Sequence, residues 1–583
     1  MKEIFKVNKL ENGLVLDASW NGNVCSFSVT NISDKEQRLG DIILLTADMP
    51  FSADTRFYGE GYNMLSQYGG TISDFKLLGS FSDYDHYKFK RPDGINQVYN
   101  MAIFFPENEL PLLVGFSSCH RFNGWIRFNE KTIQLVLNGE NIKIGAGEKI
   151  KLEQTYIAKG KRNDVLNSFA DAIAENHPKL DFPEIPTGWC SWLVYGPDIT
   201  AKNIYDNLDA IKENDLDLKY IQIDDGYQAH WGDWFDFTDK FEGGVKKVCL
   251  DIKKKGFEPA IWVAPFVAEK DSELFKNHPD WFVKNEEGSP LCSSDVTFGG
   301  WRCAPWYILD MTHPDAVNYI KTVFSTMRNE WQIKYFKLDA IVWESMPFGI
   351  RYDNSKTSVE AFKLGMQAIH ETTGGDSFIL GGNSPMWPSI GMVHGMRVTN
   401  DNARGWWIFT QLARECFHRN WQHNKFWIND PDTVLLQNKV IDIVGPDGKI
   451  STVKEDSVTN DEFAFNAAYT MASGGMVLSG DDVSGLRSEN IEILRRLLPP
   501  VNVAAEFDDD TFTVGRARLD EEKTVFYIFN FDNEEKKIHI PLDGTCEVYD
   551  LIENTSLGVF ENQISFNQFK PHFAKVLVCK NKR

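Results

Sequence analysis

The chain has 583 residues, a net charge of −22, 42% hydrophobic residues and 25% charged residues. At roughly 100–200 residues per domain, that length implies two to four domains. The acidic balance lacks the clustered Lys and Arg that a polyanion partner requires, so nucleic acid is excluded and a neutral ligand fits better. Seventeen Trp residues must line cores or a pocket, and sugar sites stack the apolar face of a pyranose on such rings. Nine cysteines are scattered singly, with no CxxC pair, which points to reduced thiols in a reducing compartment. The opening MKEIFKVNKLENG has no apolar run fit for a signal peptide, and no stretch approaches a membrane span. The expectation is a cytoplasmic protein with no membrane partner.

Residues 1–180 read as an N-terminal antiparallel β-sandwich with a linking helix. Short alternating runs, LVLDASW, CSFSVTNI and IQLVLNG, are punctuated by Asn-Gly at 12–13, 21–22 and 138–139. The segment NDVLNSFADAIAENHP reads as a helix leading into the linker FPEIPTG.

From 181 to 503 short apolar runs alternate with amphipathic helical segments such as AKNIYDNLDAIKEN and VKKVCLDIKKKG. Eight strands are predicted: 188–192, 220–225, 259–265, 335–340, 378–384, 395–401, 425–430 and 475–481. Alternation of strand and helix implies a parallel sheet, and eight units over about 300 residues fit a (β/α)₈ TIM barrel. A doubly wound sheet is disfavoured because no GxGxxG or Walker loop follows the first strand. Residues 504–583, with runs such as TFTVGRARL, KTVFYIFNF and HFAKVLVCK, read as a small C-terminal antiparallel β-domain. The expected fold class is therefore multidomain α/β, a central barrel flanked by two β-rich parts.

Polar residues gather at the predicted strand ends. Strand two ends in Asp224 and Asp225, strand four carries Lys337 and Asp339, strand five ends in Asn383, and strand six carries Arg397 and ends in Asp401. A carboxylate after a strand is often only a helix N-cap. Four of them, with a Lys and an Arg on the rim that builds the active site in this fold, are poorly explained by capping alone. The set suits glycoside hydrolysis with retention, which needs one ionised carboxylate and one protonated carboxyl about 5–5.5 Å apart. Lys337 and Asp339 share a strand face, and the ammonium is expected to favour ionised Asp339. Asp401 would need a raised pKa to act as the acid. Asp224 and Asp225 lack the further ligands a metal would need, and no metal or organic cofactor is expected. Cys190, near a strand end, reads as a buried inert thiol.

At these residues the chain resembles glycoside hydrolase family 36, the microbial α-galactosidases, and more distantly family 27. The matching stretches are GWCSW, IQIDDGYQ with GDW, GFEPAIWVAP, KNHPDWFV, LDMTHPDA, YFKLDA, NSPMWPSIG and MRVTNDNARGWW, in family order from about residue 187 to 407. The resemblance implies Asp339 as nucleophile and Asp401 as acid/base. It also implies Asp224 and Asp225 on the sugar hydroxyls at positions 4 and 6, and Trp262, Lys337 and Arg397 as substrate contacts. Two departures stand out. Gly382-Asn383 replaces a small residue followed by Asp, so Asn383 is expected to meet a different substituent. Leu65 stands where the family supplies a Trp to the pocket, with Tyr58 and Tyr62 as candidate substitutes.

The expected activity is exo-acting hydrolysis of terminal α-galactosides through a covalent glycosyl-aspartate, on a small oligosaccharide or glycoside. Alternatives are an α-N-acetylgalactosaminidase or another α-glycosidase of the family, a galactosyl transferase of raffinose-synthase type, and a catalytically silent sugar-binding protein. The resemblance also implies a homo-oligomer.

Overall fold

The computed structural model describes residues 2–444, 450–454 and 457–582. Eight parallel strands run in the order of the chain around a barrel: β1 Thr187–Cys190, β2 Tyr220–Ile223, β3 Glu258–Val263, β4 Tyr335–Leu338, β5 Phe378–Gly381, β6 Gly395–Arg397, β7 Ile428–Asp430 and β8 Val477–Ser479. The last pairs back with the first, Thr187 opposite Val477. The seam between β7 and β8 is drawn together where the Met476 N–H donates to the Asn429 carbonyl at 2.9 Å. All eight predicted strands are present; seven end earlier than expected, and β7 ends at Asp430 as expected but starts three residues later. The rim residues leave the ladder there, which frees their side chains for the pocket.

Period-two alternation sorts each barrel strand into two faces. Outward residues such as Ile221, Ile261, Phe336 and Ile379 pack into the main core. Inward residues Tyr220, Ala260, Tyr335 and Phe378 fill the barrel floor. Moving two residues along each strand from that floor reaches Gln222, Trp262 and Lys337, and two more reach Asp224 and Asp339. The alternation that fills the barrel therefore also aims its polar residues upward into the mouth.

Thirteen strands between Lys6 and Lys159 form one antiparallel network. Strand Asn96–Phe105 is buried on both faces. Val98, Ala102 and Phe104 enter the network's own core, whereas Tyr99, Met101 and Ile103 enter the core shared with the barrel. Of the Asn-Gly signals, Asn12-Gly13 has both residues at positive φ, and the first hairpin turns at Gly22-Asn23, one residue beyond the start of the second signal, between strands Leu14–Asn21 and Val24–Asn31. Asn138-Gly139 does not turn the chain. It lies inside strand Thr132–Ile144, where the register shifts between Asn138 and Ile142 and Glu140 and Asn141 take positive φ. The same left-handed conformation that serves a hairpin here serves a bulge.

The linking helix spans Arg162–Asn176, and a six-stranded antiparallel sheet spans Glu506 to Asn581. A loop of the N-terminal part is zipped to the loop after β5: the Met64 N–H donates to Ser384 O at 3.1 Å, and the Met386 N–H donates to Tyr62 O at 2.8 Å. Buried Arg419 locks that loop in place. It pairs with buried Glu60 at 2.8 Å and donates to the carbonyls of Ser66 and Val398 at 3.0 Å each. No helix among the described residues is long and apolar enough to cross a membrane. All nine cysteines are free, and Cys190 is buried.

Candidate active site

A cavity of about 320 Å³ opens at the C-terminal rim of the barrel, and all eight residues singled out from the sequence line it. Asp224, Asp225, Lys337, Asp339, Arg397 and Asp401 make its polar side, with Trp262 and Asn383 beside them.

Asp339 follows β4 directly. Its Oδ2 accepts from Trp262 Nε1 at 2.9 Å and its Oδ1 from the Ala340 N–H at 2.8 Å. Ala340 sits at φ 53°, an uncommon conformation for a residue with a side chain, and that turn brings its N–H back onto the preceding carboxylate. Lys337 favours the ionised form of Asp339 through space, but it is not bonded to it. Lys337 Nζ donates to Asp224 Oδ2 at 2.9 Å. Burial pushes the Asp339 carboxyl above the usual carboxylate range, and Lys337, Trp262 and the Ala340 N–H only partly offset it. Asp339 makes no ion pair among the described residues, in contrast to every other carboxylate of the pocket.

Asp225 is gripped by Arg302, whose Nε reaches Oδ2 at 2.8 Å and whose Nη2 reaches Oδ1 at 2.5 Å. Gln228 and Trp231 add bonds to the same Oδ1. Asp224 Oδ2 takes Lys337 and Gln222, while its Oδ1 takes only the Asp225 N–H. One oxygen on each residue, Asp224 Oδ1 and Asp225 Oδ2, thus has a single partner and keeps a lone pair for a ligand hydroxyl.

Asp401 lies four residues beyond Arg397, and Arg397 Nη2 donates to its Oδ1 at 3.0 Å. Its side chain is 54% accessible because it faces the open cavity. The expected upward shift of its pKa is absent. Partial desolvation by the pocket walls raises it, but Arg397, Lys337 and a hydrogen bond from Trp192 outweigh that effect and hold the carboxyl below the usual range. Lys337 and Arg397 both stay charged, since the surrounding carboxylates more than offset their burial.

Asn383 has a fixed orientation. The Leu65 N–H donates to Asn63 Oδ1 at 2.9 Å, so the Asn63 amide nitrogen must point the other way. That nitrogen donates to Asn383 Oδ1 at 2.5 Å, and the Tyr87 hydroxyl donates to the same oxygen at 3.0 Å. The amide oxygen of Asn383 is therefore occupied, and its Nδ2 is left as a donor toward the cavity.

The outer wall is apolar. Leu65 lines it, as the sequence placed it, but Tyr58 and Tyr62 do not. Their hydroxyls are buried, against Glu60 and Ser345 respectively. The aromatic surface comes instead from Phe81, His86, Phe298 and Trp301. His86 is sandwiched between Phe81 and Phe298, with ring centroids 4.5 and 3.5 Å away, and burial lowers its pKa to about 4.

Sequence reasoning missed these residues, Arg302, Trp192, and the pair Asp430 and Asp432. Asp430 ends a predicted strand, so the rule that singled out the other rim carboxylates applies to it too. Arg302 follows Gly299 and Gly300, both at positive φ, in an irregular loop with no periodic signal.

Residues 163–375 match the family model described as Melibiase. An α-galactosidase of Escherichia coli is 32% identical over 131 residues, 21% of this chain and 17% of that protein. A type A blood α-D-galactosamine galactosaminidase of Flavonifractor plautii is 29% identical over 215 residues, 35% of this chain and 19% of that protein. The matched stretches thus span about a fifth of these relatives' length. Among solved structures, the family 36 α-galactosidase AgaA of Geobacillus stearothermophilus, in complex with raffinose, superposes with a TM-score of 0.67 at 13% identity, covering 97% of this chain and 81% of that one. The Thermus thermophilus α-galactosidase bound to p-nitrophenyl α-D-galactopyranoside gives 0.63 at 19% identity, covering 87% and 97%. These likenesses establish a shared fold. The Melibiase model covers the linking helix and the first half of the barrel, and that match bears out the resemblance to glycoside hydrolase family 36.

Proposed function

We propose that the protein is an exo-acting, retaining α-galactosidase in which Asp339 is the nucleophile and Asp401 the acid/base. The observation that carries this reading is the asymmetry of the pocket carboxylates. Asp224, Asp225 and Asp401 are each ion-paired, to Lys337, Arg302 and Arg397. Asp339 is held only by an indole N–H and one backbone N–H, so its charge is oriented without being neutralised. An oxocarbenium-like transition state meets that uncompensated anion on one side. Asp401, still wetted by the cavity, loses water when a sugar fills it, and loss of hydration favours the protonated acid. Once Asp339 is glycosylated its charge is gone, so Asp401 becomes easier to ionise and can activate the water of the second step.

The free lone pairs of Asp224 and Asp225 suit two neighbouring sugar hydroxyls. An epimer that turns one hydroxyl away leaves a buried acceptor unpaired, which discriminates strongly. The substrate is accordingly a terminal α-galactoside. A second reading, α-N-acetylgalactosaminidase, is favoured by one feature. The donor Asn383 Nδ2 suits an acetamido carbonyl, and Gly382 keeps the adjoining floor free of a side chain. A Cβ there would lie 3.2 Å from Leu338 O and 3.7 Å from Asp339 Cγ.

Aryl α-glycosides that differ at positions 2 and 4 test both readings. Turnover of the galacto compound, at least about a hundredfold above the gluco epimer, and its loss in Asp339→Ala are expected. Undiminished turnover in Asp339→Ala would overturn the mechanism. Preference for the acetamido compound would select the second reading. NMR of the first-formed sugar is expected to show the α-anomer, and a β-product would rule out double displacement.

A further inference from the structure

Arg397 serves two carboxylates with one nitrogen. Its Nη2 lies 3.0 Å from Asp401 Oδ1 and 3.3 Å from Asp432 Oδ2. Asp432 is buried two residues beyond β7. It has φ 70°, a costly conformation for a residue with a side chain, which its hydrogen bonds over-determine. Its Oδ2 accepts from the Asn402 N–H at 2.6 Å, the residue directly after Asp401, and its own N–H donates to Asp430 Oδ1 at 2.9 Å. The Val398 N–H in turn donates to Asp430 O at 3.0 Å. The 430–432 turn thus holds the backbone on both sides of Asp401.

We propose that Asp432 is a positioning residue for Asp401, fixing the segment that carries it and sharing the Arg397 guanidinium so that Asp401 does not face that cation alone. The proposal rests on the assignment of Asp401 as acid/base. Other charged or titratable groups around this pair are Lys337 and Asp339 at β4, Cys190 of β1, Asp430 of β7 and Tyr469 of the helix Asn460–Ala472. Neither Asp339 nor Asp430 lies within ion-pair distance of Arg397 Nη2. Buried Glu415 accepts from the Asn400 N–H at 2.8 Å on the other side of Asp401, but among the described residues Asp432 alone both bonds that loop and shares the Arg397 guanidinium with Asp401. Burial raises the Asp432 carboxyl, while Arg397 and Lys337 hold Asp401 low. Neutralising Asp432 leaves the full guanidinium charge on Asp401, stabilises its anion, lowers its pKa and leaves it less often protonated at a given pH.

The test uses the whole chain with Asp432→Asn and, as a second neutral variant, Asp432→Ser. Profiles of kcat/KM against pH are measured on nitrophenyl and simple alkyl α-galactosides, always on the same preparation so that any unfolded fraction cancels. The limb governed by Asp401 is expected about one pH unit lower than in the unmodified protein. The alkyl galactoside, whose leaving group needs the proton, is expected to lose about tenfold more activity than the nitrophenyl one. Superimposable profiles with equal losses on both substrates would overturn the proposal and leave Asp432 a structural residue. If Asp401→Asn retains full activity on the alkyl galactoside, the acid/base assignment itself fails, a result distinct from failure of the Asp432 variants alone.

Discussion

Asp401 and Asp339 are shifted in opposite senses from the same resting value, and the direction is the reverse of their proposed roles. Asp339 is raised chiefly by burial, and Asp401 is held low by Arg397 and Lys337 against partial desolvation by the pocket walls. Two carboxyls that feel each other titrate as a pair, so the limbs of the pH profile belong to both. The Asp401 side chain is 54% accessible at the cavity and has hydration to lose when a sugar covers it. Covering it removes water from its anion and raises its pKa, so protonation persists to higher pH in the complex. The alkaline limb of kcat, which reports the complex, should therefore lie above that of kcat/KM, which reports the free protein. Coincident limbs would mean that sugar binding leaves Asp401 as wet as before. The nucleophile candidate was legible in the sequence because Lys337 and Asp339 share a strand face. The partner of Lys337 was not, since that depends on how β2 and β4 lie across the barrel. Asn383 was legible as a departure, but its role as a donor needed the Asn63 and Tyr87 contacts.

The barrel strands were legible because an apolar run bounded by polar rim residues is a local signal, and their shortened ends were not, because a ladder ends where neighbouring strands diverge. Closure of the barrel depends on Gly475. A Cβ there would fall 1.9 Å from the Asn429 carbonyl oxygen, at the seam where Met476 pairs with Asn429. Gly475→Ala must push β7 and β8 apart, and since Asp430 ends β7 and Asp432 follows it, the change should lower both the unfolding midpoint and kcat. A thermal melt matching the unmodified protein would show that the seam tolerates the side chain. The Asn138-Gly139 signal shows the limit of local reading. The residues at positive φ are Glu140 and Asn141, just beyond the dipeptide, and only the partner strand decides between a turn and a bulge.

At the scale of the whole molecule, the N-terminal part completes the pocket, and nothing periodic in the sequence announces it. The contacts that matter join residues 320 and 359 positions apart, Asn63 with Asn383 and Glu60 with Arg419. Glu60 and Arg419 are fully buried, and removing one member of such a pair leaves the other charge without compensation. Arg419→Ala is expected to cost about 3–5 kcal/mol and to loosen the loop that carries Met64 and Leu65. A shift in the denaturant midpoint worth less than about 1 kcal/mol would contradict this. Phe81→Ala, by contrast, should leave stability and the pH profile unchanged and raise KM for aryl galactosides, because Phe81 offers surface to the leaving group and touches no titrating group of the reaction. An unaltered KM would remove Phe81 from the binding surface.

The central claim is that the galactosyl group passes through a covalent bond to Asp339. A 2-deoxy-2-fluoro-α-galactosyl donor with a good leaving group slows both steps, and peptide mapping by mass spectrometry locates the adduct it leaves. The account predicts one fluorogalactosyl group per chain, on the peptide containing Asp339 and absent from Asp339→Ala. An adduct on Asp401, or none while the donor is consumed, would contradict it.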